Sequence, residues 1–266
     1  MKTLRYVVTA GLMLAIAGCD RSAVEPQGQT GTLQVNMIDS PAAYDQVNIV
    51  VDSVQAHIAI DDTTAGWFTL STTPATYDLL VYVNGSFAVI GSAELPVGRY
   101  SQVRLFIGSG SNVVVDGQTK PLAIPSGVQS GVKLLINATI TADQTTTITL
   151  DFDANLSVVK SGNPVDPTYS LRPVIRTTTS ASTGFIAGVV SPATSRPTIW
   201  ARSSTGVTLT TTTDASGGFR FLCLTPDTYT VEVVSNDDLY AARTITGVNV
   251  GASATVDLGT ISLENK

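Results

Sequence analysis

The segment Leu150-Asp151-Phe152-Asp153-Ala154 sets two carboxylates two residues apart. Side chains alternate between the faces of a β-strand, so Asp151 and Asp153 are expected to project from one face while Phe152 enters the other. Acids placed in this way suit two chemistries. Carboxylate oxygens converging on one spot bind Ca²⁺, and a pair of acids can flank a glycosidic bond. Asp39, in Met37-Ile38-Asp39-Ser40-Pro41, and Asp52 are further candidate ligands, although spacing alone does not bring them to the pair. The bland alternative is that these acids cap turns or pair with Arg104 and Arg172.

Other reactive groups are few. His57 is the only histidine, which excludes a His-rich zinc site and any mechanism needing several imidazoles. It shares a strand face with Gln55, opposite Ala56, Ile58 and Ile60, where a solvated or side-chain-bonded ring is expected rather than a general base. The chain contains no G-x-S-x-G elbow, no P-loop and no H-E-x-x-H. A non-enzymatic binding or structural protein is therefore expected, with a carboxylate-dependent glycosidase and a subunit of an envelope assembly as alternatives. In Pro197-Thr198-Ile199-Trp200-Ala201-Arg202-Ser203, Ile199 and Ala201 take the inward phase, turning Trp200 outward with Thr198 and Arg202. An outward Trp is a platform for a sugar ring or a protein surface, or it packs against a neighbouring domain. Trp67, in GWFTL, is expected in a core. Asp214, in TDASGG, is expected to support a turn by bonding local amides. Cys223, in FRFLCL, is expected to be a small buried hydrophobe.

The other cysteine, Cys19, belongs to the opening MKTLRYVVTAGLMLAIAGC. Two cations, a short apolar stretch from Tyr6 to Ile16 and small residues before the cysteine form the layout of an export signal. The apolar run of about 11 residues falls short of the roughly 20 that span a bilayer. Ile16-Ala17-Gly18-Cys19 resembles the bacterial lipobox, which implies cleavage after Gly18 and acylation of Cys19, a stable anchor when several chains are attached. Residues 1–18 are thus expected to be a signal peptide and 19–30 the lipidated Cys19 with a flexible polar tether. The expected location is the cell envelope, on the inner or outer membrane, facing the periplasm or the cell surface. The chain carries 15 Lys+Arg against 21 Asp+Glu; loss of Lys2 and Arg5 with the signal leaves 13 against 21, a net charge of −8. So acidic a chain is unsuited to nucleic acid, whose binding rests on neutralising phosphates. With Cys19 acylated, Cys223 has no disulfide partner.

The elements that must position these residues are strands. Stretches such as TLQVNMI, YDLLVYV, FAVIGSAEL, RYSQVRLFI, VKLLINATI and TTTITLDF alternate with period two and are rich in Val, Ile and Thr. The inward set of QVNIVVDSVQAHIAI slips phase at Asp52-Ser53, which predicts a bulge. Asn84-Gly85 and Asp116-Gly117 read as hairpin turns, and Ser40-Pro41 as the start of one helical turn. A Thr/Ser stretch after Arg176 separates two strand series. The expected fold class is all-β, with two antiparallel β-sandwich domains over residues 31–177 and 184–263.

Two resemblances accompany this reading. GTLQVNMIDSPAAYDQVNIVVDSVQAH, LPVGRYSQVRL, VVVDGQTKPLAIPSGVQSGVKL, LDFDA and YSLRPVIR resemble the bacterial lipoprotein family called domain of unknown function 4382, which implies no biochemical activity. GFIAGVV, TTDASGGFRF and LTPDTYTVEV resemble the carboxypeptidase regulatory-like domain. That resemblance implies a transthyretin-type sandwich with no catalytic residues, although Asp227 stands where glycine is usual. No cofactor is expected apart from the Ca²⁺ considered for Asp151, Asp153 and Asp39, and the expected partners are the membrane, a glycan or an envelope protein.

Overall fold

The computed structural model describes residues 28–58, 66–125, 130–163, 165–179 and 183–266. The expected signal peptide, Cys19 and the middle of the expected domain junction lie outside the described residues.

Among the described residues the first body comprises β1 (Thr30–Asp39), β2 (Gln46–Ile58), β3 (Gly66–Ser71), β4 (Ala75–Asp78), β5 (Ala88–Pro96), β6 (Gly98–Ile107), β7 (Asn112–Val115), β8 (Gln118–Ala123), β9 (Val132–Ile140), β10 (Thr145–Phe152), β11 (Val158–Gly162), β12 (Pro167–Leu171) and β13 (Ile175–Thr179), with a one-turn helix α1 (Ala154–Ser157) after β10. A four-stranded sheet runs β13-β10-β1-β5, and a nine-stranded sheet runs β11-β12-β8-β7-β2-β6-β9, with β3 and β4 also paired to β2. Alternation delivers the inward residues of each strand to one core. Leu33, Val35 and Met37 of β1 and Ile148, Leu150 and Phe152 of β10 meet Val47, Ile49, Val54 and Ala56 of β2 and Val103 and Leu105 of β6. Each large side chain so buried contributes about 1.5–3 kcal/mol.

The second body comprises β14 (Gly184–Ser191), β15 (Thr198–Ser203), β16 (Thr208–Thr212), β17 (Gly218–Leu224), β18 (Asp227–Val234), β19 (Arg243–Val250) and β20 (Thr255–Ser262). Its sheets, β17-β14-β20 and β16-β15-β18-β19, enclose a separate core around Ile186, Ile199, Phe221, Tyr229 and Val231. The proline turns that open β6 and β18 are built alike. Tyr100 donates its hydroxyl proton to the carbonyl of Pro96 (3.0 Å), and Tyr229 donates to that of Thr225 (2.8 Å). Each ring is buried in its core while its polar tip ties the turn to the strand.

The phase slip in β2 is a bulge. Its register with β6 shifts between Val51 and Ser53, leaving Asp52 exposed. Asn84-Gly85 and Asp116-Gly117 each take positive φ at both positions, but only Asp116-Gly117 closes a hairpin, between β7 and β8; Asn84-Gly85 precedes β5, which pairs with β1, while β4 pairs with β2. Other segments depart from expectation. In YDLLVYV, Leu79–Val81 forms a 3₁₀ turn, because the Asp78 carboxylate accepts from the Leu80 amide and caps it. Residues 40–45 form no helical turn, because the Asn155 side chain takes the backbone groups a helix would use, accepting from Ala43 N (3.2 Å) and donating to Pro41 O (3.0 Å). β1 pairs with β10, β12 with β8 and β14 with β20 in parallel, pairings that alternation does not encode. β13 carries strand pairing through Thr179, two residues beyond the expected end of the first domain.

Candidate functional site

The second body rests on the outer face of the four-stranded sheet. Asn36, Ile38, Thr149 and Asp151 point away from the first core yet are buried. The Asn84 side chain, on the turn before β5, acts as a short strand edge. It donates to Gly218 O (2.9 Å) and accepts from the Arg220 amide of β17. Gly85, at φ +92, lies against the Arg220 stem, where a Cβ would come within 3.2 Å of Cδ. Cys223 is therefore not simply a core hydrophobe of the second body. Its φ of +59 makes it a left-handed residue in β17, and burial pushes its thiol up, opposed by the neighbouring Thr178 and Thr149 hydroxyls of the first body.

Beside this contact the bodies diverge into a cleft of about 840 Å³. Asp151, Asp153, Asn155 and Arg176 line one wall, and Thr198, Trp200, Thr208, Thr210 and Thr212 line the other. Trp200 is half-buried and sits on β15 between Thr210 of β16 and Glu232 of β18. Alternation on two adjacent strands thus produces an indole in a ladder of hydroxyls, facing a wall of carboxylate, amide and guanidinium groups.

The carboxylates of that wall are engaged. Asp151, 5% exposed, pairs with the Arg176 guanidinium, its direct neighbour across β10 and β13. Burial raises the Asp151 pKa, and the Arg176 charge opposes the rise. Asp153 does not share a strand face with Asp151. β10 ends at Phe152, and Asp153 is the N-cap of α1, its carboxylate accepting from Leu156 N at 2.9 Å. Asp39 serves the same helix, with Oδ1 accepting from Ala154 N (2.9 Å) while Oδ2 is buried and unpartnered among the described residues. Burial, with smaller contributions from Asp151 and Asp153, pushes Asp39 up to about 8 against the pull of the Ala154 and Ser40 amides. A cavity of about 30 Å³ beside Asp39 and Asp151 has room for about one water. Among the described residues no three His, Cys, Asp or Glu side chains converge closely enough to hold a metal ion.

Of the residues singled out separately from the sequence, Trp200, Asp151 and Asp153 line one cleft and Asp39 lies behind it, a proximity the sequence did not give. Sequence reasoning missed Arg176, which pairs with Asp151 in place of Arg104 or Arg172, because only strand register reveals that partner. Asn155 and the threonine ladder were also missed; the Thr-rich run Thr208–Thr212 was their one visible trace. Trp67 is not a core residue. It is half-buried on the outer face of the large sheet, edge-on to His57 with centroids 5.0 Å apart. Asp214 does hold its turn, accepting from Ser216 N and Gly218 N.

These features define a class: an all-β protein of two packed bodies with an aromatic and polar cleft between them. Residues 30–173, more than half of the chain, match the family described as a domain of unknown function, DUF4382, and the chain belongs to that family. No curated protein matches the chain significantly. Among solved structures, the Bacillus anthracis TIE protein is 10% identical with a TM-score of 0.24, and the chain covers 34% of it with 89% of its own length. The minor pilin GBS52 of Streptococcus agalactiae is 11% identical with a TM-score of 0.25, covering 88% of this chain and 96% of the pilin. BcpA, the major pilin subunit of Bacillus cereus, is 10% identical with a TM-score of 0.23, covering 90% and 100%. The chain spans about a third of the length of the TIE protein. At such TM-scores nothing about assembly passes from these proteins to this one.

Proposed function

We propose that this protein is a lipid-anchored, non-enzymatic binding protein of the cell envelope that holds an uncharged glycan segment in the cleft between its two bodies. The observation that carries this reading is Trp200, half-buried and open to the cleft among Thr198, Thr208, Thr210 and Thr212. An indole face covers the apolar side of a sugar ring, and hydroxyl, amide and guanidinium groups exchange hydrogen bonds with its hydroxyls. Binding without hydrolysis is favoured because Asp151 is held by Arg176 and Asp153 by the Leu156 amide of α1, so neither is free as an acid or nucleophile. The second body fits the accessory role that its resemblance to the carboxypeptidase regulatory-like sandwich implies.

Anchoring through acylated Cys19 rests on the lipobox, and Cys19→Ala should leave an uncleaved precursor without acyl mass. Among the described residues no helix is long and apolar enough to cross a membrane. The reading requires no cofactor. Ca²⁺ could take Asp151, Asp153 and Asp39 only by displacing Arg176 and the Ala154 and Leu156 amides, and a melting shift of several degrees that disappears in Asp151→Asn/Asp153→Asn would establish it. The deciding experiment is a glycan array with a hydrolysis readout. Capture without cleavage, lost in Trp200→Ala, is expected; cleavage, or capture indifferent to Trp200, would overturn the reading.

A further inference from the structure

We propose that the outer face of the large sheet carries an oxyanion-binding site centred on Arg104, on the opposite side of the first body from the cleft. Arg104 lies on β6 between Gln55 of β2 and Lys133 of β9. Its guanidinium carbon stands 4.0 Å from the Trp67 ring centroid and 5.9 Å from that of Phe106. The stem is held from below by Gly131, at φ +95, where a Cβ would come within 2.6 Å of Arg104 Cγ. Stacking orients the planar head and leaves Nε without a partner among the described residues, and a guanidinium keeps its charge at every physiological pH.

Two further observations bear on what this face can bind. Arg104 Nε and His57 Nδ1 are both buried without a hydrogen-bond partner among the described residues, and both side chains touch the same Trp67 ring. In a chain where acids outnumber bases 21 to 15, no carboxylate among the described residues pairs with Arg104. Lys133, exposed and directly across from Arg104, adds positive potential. A stacked, half-buried guanidinium beside an imidazole and a lysine, with no carboxylate paired to it among the described residues, suits a carboxylate or phosphate group, which Arg engages through two parallel hydrogen bonds.

The chain's two tryptophans make the test direct, because Trp200→Phe leaves Trp67 as the only indole reporter and removes the cleft's own platform. Glucose, glucuronate and glucose 6-phosphate present one ring as a neutral, a carboxylate and a phosphate species. Trp67 emission is expected to change saturably with one or both anions, which identifies the preferred group, and not with glucose. Arg104→Gln should abolish the response. Arg104→Lys, which keeps the charge but loses the fork, should weaken it roughly tenfold, and decides the matter if Arg104→Gln does not fold by circular dichroism. No saturable response to either anion, an equal response to glucose, or unchanged affinity in Arg104→Lys would overturn the site without touching the cleft reading.

Discussion

Asp39 is 6% exposed and keeps one carboxyl oxygen without a partner among the described residues, so its proton matters to folding. Burial lifts its pKa from the ordinary carboxylate value of 3.8 to about 8 in the folded protein. A group raised in this way binds its proton more tightly in the folded state. Its contribution is fully present below about pH 4 and is lost as pH rises towards 8. Asp39→Asn removes the titration while retaining a neutral donor and acceptor. The melting midpoint of the variant relative to the parent is therefore expected to climb between pH 4 and pH 8, each tenfold difference in proton affinity between the folded and unfolded chain being worth about 1.4 kcal/mol. A flat difference across that window would mean that Asp39 ionises like an ordinary exposed carboxylate. Trp200 makes the opposite case, a large side chain that burial has only half claimed. Trp200→Ala should cost about 1 kcal/mol in chemical denaturation, against about 3–5 for a fully buried aromatic such as Phe152. A core-sized loss would show that the indole holds the two bodies together instead of serving a ligand.

Strands were legible wherever one face is buried, because a period of two then writes the core into the sequence. Leu33, Val35 and Met37 of β1 and Ile199 and Ala201 of β15 are inward as the alternation demands, and the positive-φ turns follow from Asn-Gly and Asp-Gly chemistry. What the pattern could not carry is any element decided by a partner far along the chain. Residues 40–45 lose their expected helical turn to Asn155, more than a hundred positions away, and the Asp151–Arg176 pair exists only through the register of β10 and β13. Asp153 was misplaced for a related reason, since alternation gives no sign of where a strand ends and a cap begins. As the N-cap of α1, Asp153→Ala should destabilise the protein by about 1 kcal/mol, whereas Asp153→Asn, which also caps well, should cost little. If Asn costs as much as Ala in urea unfolding, the negative charge is what the position needs and a cation becomes the better account of it.

The relation between the two bodies was not written in any local pattern, because it depends on one polar turn meeting one strand edge. Asn84 supplies two hydrogen bonds to β17, and Cys223 lies farther along the same strand with its thiol against the first body. Thiol labelling is therefore a gauge of separation. A thiol reacts as thiolate, and here Cys223 is half-buried against the first body with its thiol pKa raised by burial, so labelling in the docked state should be slow and should speed up on opening. Each hydrogen bond contributes about 0.5–1.5 kcal/mol net, so Asn84→Ala should shift the opening equilibrium by about 1–3 kcal/mol. That corresponds to a labelling rate higher by roughly 5–150-fold while opening and closing remain fast. The measurement needs Cys19→Ser so that Cys223 is the only thiol of the chain's two, with circular dichroism to show that both β bodies persist. An unchanged rate would place the docking energy elsewhere on the buried face of Asn36, Ile38 and Thr149. A large acceleration with both bodies folded would mean that the cleft walls are held at their spacing by a single asparagine, and that ligand capture should weaken in the same variant although Asn84 does not line the cleft.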